Sequence, residues 1–130
     1  MPGARWIASS AALLCCLLPA AVFAQAGAAC DPAGNQQQMN ACAVRDFQAA
    51  DIQLNIRYGE VMNGLPQGQR TALRQQQRGW LKSRDARCKT AVRDSEGGSV
   101  WPLIFHVCLE KATRARTAEI ERWATGNPTP

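Results

Sequence analysis

The chain of 130 residues has little of what catalysis and metal binding usually draw on. It holds one histidine, His106, which sits beside Phe105 in an apolar stretch with no serine or carboxylate spaced to complete a triad. No cysteine pair has the C-x-x-C spacing of a thiolate zinc site, and His106 stands two residues from Cys108, so it points elsewhere on a helix. There is no glycine-rich phosphate loop. Asp51 and Glu60 are nine residues apart, about 13 Å along a helix, which exceeds the separation of a glycosidase carboxylate pair. No segment alternates apolar and polar residues with period two, which excludes a sheet. No apolar run reaches the ~20 residues of a membrane span. These absences argue for a protein that is not an enzyme and needs no metal or cofactor.

What the chain does have is six cysteines, and they divide in two. Cys15 and Cys16 lie in the apolar run Trp6–Leu18, behind the single positive charge of Arg5. Pro19 breaks that run, and Val22 and Ala24 are small enough for signal peptidase. Residues 1–24 therefore read as a secretory signal, with Gln25 the new N-terminus. Gly27-Ala28-Ala29-Cys30 resembles a lipobox but lacks its large aliphatic residue, so lipid anchoring at Cys30 is not expected. Periplasmic or secreted localisation follows, without stable membrane insertion after cleavage. The remaining residues suit one small domain, 25–123, with a disordered tail at 124–130 that contains Gly126, Pro128 and Pro130.

The formal charge is +5. The excess reads as arginine spread along the helical stretches, a solvated basic surface. Export makes nucleic acid an unsuitable partner, and attraction to anionic envelope surfaces would be unspecific.

Residues 25–35 are small, polar and broken by Pro32 and Gly34. From Gln36, the residues Met39, Ala43, Phe47, Ala50, Leu54, Tyr58 and Val61 recur every three or four positions, which makes one helix face. Asn63-Gly64-Leu65-Pro66-Gln67-Gly68 ends that helix. A second helix is expected from Gln69 to Asp94, with Leu73, Gln77, Trp80, Leu81, Arg84, Cys88 and Val92 inward. Glu96-Gly97-Gly98-Ser99 is a turn, with Ser99 a suitable N-cap and Pro102 in the first turn of a third helix. That helix carries Trp101, Ile104, Phe105, Cys108, Leu109, Ala112, Ile120 and Trp123. The fold class is all-α: three main helices, the second and third an antiparallel hairpin.

Four cysteines allow three pairings. Cys88 precedes Gly97 by nine residues and Cys108 follows Ser99 by nine, so a hairpin sets them at one height. Cys88–Cys108 is the expected clamp, and Cys30–Cys42 then staples the lead-in to the first helix. Polar residues interrupt the inner stripes. Gln77 and Arg84 face inward on the second helix, and Asp51, Asn55 and Tyr58 rise beside the stripe of the first. A buried arginine needs a carboxylate, so Asp51 is the expected partner of Arg84. Asn55 and Tyr58 would complete the network, Trp80 would stack on the guanidinium, and Asp85 would face solvent. Such a network either fixes helix register or lines a recognition surface.

Met39-Asn40-x-Cys42 and Ala50-Asp51-x-x-Leu54-Asn55-x-x-Tyr58 resemble the N-terminal domain of the LprI-type lysozyme inhibitors, a group of bacterial envelope proteins. Leu73-Arg74-x-x-Gln77-x-x-Trp80-Leu81-x-x-Arg84-Asp85-x-x-Cys88 is similar as well, as are Glu96-Gly97-Gly98-Ser99, Cys108 and Arg116-Thr117-x-x-Ile120. The resemblance covers nearly the whole chain after the signal. It implies a non-enzymatic envelope protein that binds a protein partner, with lysozyme or another muramidase the candidate. The rival expectation is a periplasmic stress or scaffolding module without lysozyme activity. Animal lysozymes are basic, so a cationic inhibitor needs a local acidic patch, for which Asp31, Asp46 and Asp51 are available.

Overall fold

The computed structural model describes residues 27–128, so the segment read as a signal lies outside the described residues. Helix α1 spans Gln36–Gly64, α2 spans Gln67–Ala91 and α3 spans Trp101–Ala124, with a short 3-10 helix at Arg93–Ser95. Among the described residues there is no strand.

Each boundary has a local cause. Asn35 opens α1 with a capping box: its side chain accepts from the Gln38 amide, and the Gln38 side chain accepts from the Asn35 amide. Leu65 precedes Pro66, whose ring excludes the helical conformation before it, and Leu65 is extended. Only Leu65 and Pro66 separate α1 from α2, so α2 must turn straight back along α1. Gly68 lies inside the first turn of α2, so that helix starts two residues earlier than the glycine suggested. It also ends earlier, at Ala91, where the chain tightens into the 3-10 turn.

Gly97 has φ +79°, which a side chain resists, and lets the chain reverse towards α3. Ser99 is not the cap of α3. Val100 holds that position without a side-chain bond, while the Ser99 carbonyl accepts from Asn40 Nδ2 at 3.0 Å. Pro102 sits in the first turn as expected. At the other end Gly126, φ +77°, allows the Gly126 amide to donate to Trp123 and the Asn127 amide to Arg122. That is a Schellman closure of α3.

Contacts fix the directions. Asn40 meets Ser99, Phe47 meets His106 and Arg57 meets Glu121, so α1 and α3 run parallel. Cys88 meets Cys108, Arg84 meets Thr113 and Gln77 meets Arg116, so α2 runs antiparallel to α3. Both disulfides are present, Cys30–Cys42 and Cys88–Cys108. The intimate helix pair, however, is α1 with α3, whose backbones approach much more closely than those of α2 and α3. Side-chain size explains this. Ala43, Ala50 and Thr113 are buried, whereas α2 reaches inward through Leu73, Gln77, Trp80 and Arg84. The main apolar core gathers Leu54, Val61, Leu65, Leu73, Ile120 and Trp123, with Tyr58, Met62 and Trp80 against it.

Candidate functional site

Between that core and the Cys88–Cys108 bridge lies a polar layer built by all three helices. Arg84 is its first centre, with its side chain 8% exposed. Its Nη1 donates to Asp51 Oδ1 at 3.0 Å and to Thr113 Oγ1 at 3.2 Å, and its Nε donates to Asp85 Oδ1 at 2.9 Å. Asp85 is half exposed, as its helical position implies, yet its carboxylate folds back onto its neighbour. The guanidinium carbon lies 5.2 Å from the ring centres of both Phe47 and Trp80.

Arg116 is the second centre, 4% exposed. Its Nε donates to Gln77 Oε1 at 2.8 Å, Nη2 to Gln76 Oε1 at 3.0 Å and Nη1 to Glu119 Oε2 at 2.9 Å. It stands 5.6 Å from the Trp80 ring centre, so Trp80 is flanked by two cations. Arg116, Thr113, Gln76 and Phe47 extend the layer beyond the sequence reading. Arg116 carried a usable signal: Leu109, Thr113, Arg116, Ile120 and Trp123 follow the four-three spacing of one face, and all are buried.

Asn55 does not join the layer. It is exposed and makes no hydrogen bond to Arg84. Each step of four residues rotates about 40° around a helix, which carries Asn55 outward from Asp51. Tyr58 turns back and packs on the apolar core. His106 is half-buried, with Nδ1 2.6 Å from the Pro102 carbonyl and its ring against Phe47 and Phe105. A carbonyl only accepts, so Nδ1 carries the proton in that contact.

A second feature lies on the α1/α3 side. A groove of about 220 Å³ is lined by Pro32, Met39, Cys42, Ala43, Asp46, Leu103, Val107 and Glu110, with no residue from α2. Its floor is apolar and the charged residues that line it are two carboxylates. Both carboxylates are held by flexible arginines, Asp46 by Arg45 and Glu110 by Arg114, whose side chains are each 63% exposed. Such exposed pairs contribute little and yield readily to another cation. Asp31 follows the Cys30 staple beside Pro32, and its Oδ1 accepts from the Ala33 amide. The acidic patch expected from Asp31, Asp46 and Asp51 is thus divided, since Asp51 faces α2 instead.

The charge distribution also differs from the reading of evenly spread arginine. Helix α2 holds seven Lys or Arg residues and one carboxylate, Asp85. The rest of the chain holds eight cations and nine carboxylates, so α2 alone supplies the positive excess. Towards the far end of α1, Arg57 donates to Glu60 at 2.9 Å and lies 3.4 Å from Glu121. The bond to Glu60 is the main reason its pKa is held above the ordinary value.

Among the described residues no helix is long and apolar enough to cross a membrane, and no three metal-ligating side chains gather. A family model described as lysozyme inhibitor LprI matches residues 27–120. An uncharacterized protein of Rhizobium meliloti (strain 1021) is 35% identical over 122 residues, covering 84% of this chain and 87% of the relative. No solved structure matches.

Proposed function

The chain belongs to the lysozyme inhibitor LprI family, and from that premise we propose that it is an exported, non-enzymatic protein that binds a lysozyme or a related muramidase through the α1/α3 groove. The observation that carries the choice of face is the groove itself: an apolar floor with Asp46 and Glu110 on its walls. Complementary charge speeds encounter and selects partners. A basic lysozyme is repelled by α2, whereas at the groove its cations can displace the exposed arginines that hold Asp46 and Glu110. Export is supported by the N-terminal pattern and by two disulfides in one small domain. The buried arginine layer has almost no surface to offer a partner. Its role on this reading is to hold three helices in one register, so that α1 and α3 present the groove.

A lysis assay tests the proposal. Purified protein is titrated into lysozyme acting on bacterial cell walls, and the fall in turbidity is followed. Saturable slowing of lysis is expected. Asp46→Lys with Glu110→Lys should weaken it by about tenfold or more, at a melting cost of about 1–2 kcal/mol, since both sites are partly buried and each loses its arginine partner. Undiminished lysis at large molar excess would leave the scaffolding alternative in its place.

A further inference from the structure

Helix α2 carries a row of cations that folding does not use. Arg70, Arg74, Arg78 and Lys82 follow one another at intervals of four, and Lys89 continues the row. All five are exposed. None of them pairs with a carboxylate among the described residues. Asp85, the one acid of the helix, is already bound to the inward Arg84. The arrangement works against the helix in two ways. Like charges four apart repel, and Arg70 lies near the positive end of the helix dipole with no acid in the first turn.

We propose that this row is a docking surface for an anionic phospholipid bilayer. Geometry favours a flat, mobile partner. The row runs about 28 Å along the helix: its first four cations are about 6 Å apart, Lys89 follows after about 10 Å, and although the row winds round the helix, Arg74, Arg78, Lys82 and Lys89 stay within about 80° of one another on the outer face. Lipid headgroups that diffuse in their plane can gather beneath such a line. Single-stranded nucleic acid would want exposed aromatic rings for stacking, and the helix's one aromatic, Trp80, is flanked by Arg84 and Arg116. The groove between α1 and α3 draws no residue from α2, so the row can be occupied while the groove stays open. The reading takes its setting, an envelope membrane, from the proposed export, but its test does not depend on lysozyme.

The experiment is vesicle sedimentation at low salt, using protein expressed with its own N-terminal segment and purified with disulfides intact. Binding to phosphatidylglycerol-containing vesicles is expected, weakening steeply as salt rises. Vesicles of phosphatidylcholine alone should retain little, and equal retention would overturn the proposal. Each surface cation contributes roughly fivefold. Arg74→Gln with Arg78→Gln and Lys82→Gln should therefore lose about a hundredfold, and Lys89→Gln alone about fivefold. Lys111→Gln, which removes one exposed cation of α3 outside the row, should lose clearly less than Lys89→Gln. Undiminished binding by the triple variant, or a loss in Lys111→Gln equal to that in Lys89→Gln, would overturn the proposal. So would tighter retention on duplex DNA than on the anionic vesicles at the same salt.

Discussion

The two ends of this three-helix bundle are held together by different means. Where α1 closes and α2 begins, Leu54, Val61, Leu65, Leu73, Ile120 and Trp123 exclude water and form the main apolar core. Where α1 begins and α2 closes, the packing is thinner. Phe47, Trp101, Phe105 and His106 are only half-buried, and two disulfides do the binding. The apolar end is a scaffold in any redox state. The bridged end carries the groove, and its geometry depends on covalent bonds: Cys42 lines the groove and also anchors the lead-in that brings Pro32 to it. A domain of this size has limited apolar surface to bury, and here that surface is concentrated away from the face proposed to act.

Substitutions should separate the two ends, most strongly at the apolar one. Leu54→Ala or Leu73→Ala removes a fully buried side chain. Each should cost about 3–4 kcal/mol in denaturant melts, with or without reductant. Replacing Cys88 and Cys108 together by alanine opens a loop with a sequence separation of 20. The loss should be about 3 kcal/mol, and adding reductant should then matter less to the variant than to the parent. Losing the lead-in bridge alone, by Cys30→Ala with Cys42→Ala, should leave the helical signal in circular dichroism unchanged. It should nevertheless weaken lysozyme inhibition, because Pro32 is no longer held at the groove.

Asp51→Ala tests the layer between the ends. A fully buried ion pair broken on one side costs ~3–5 kcal/mol. Here Asp51 is 35% exposed, and Arg84 keeps Asp85 and Thr113. The expected loss is therefore about 1–2 kcal/mol. Asn55→Ala, at an exposed site outside the layer, should shift stability by less than about 0.5 kcal/mol.

Much of this organisation was legible before the structure, for identifiable reasons. Apolar residues at three-four spacing located the helices, and equal distances from the Gly97-Gly98 turn aligned Cys88 with Cys108. The pairing of α1 with α3 was less visible. It rests on Ala43, Ala50 and Thr113, whose importance is their small size, and small residues leave no mark in an apolar count. Asn55 falls outside the layer because each step of four residues turns about 40° around the helix, so spacing alone does not align it with Asp51. The charge surplus is visible in the whole-chain sum, but only the residues of α2 taken by themselves show where it lies. The groove was least legible, since it exists only when Asp46 on α1 and Glu110 on α3 are brought side by side.

The central claim, that the bridged end is the working face, is tested most directly by hydrogen exchange with and without lysozyme bound. Added protection is predicted for residues 31–46 and 103–110, with the Leu54–Val61 segment and α2 unchanged. Protection confined to α2 or to the apolar end would contradict it.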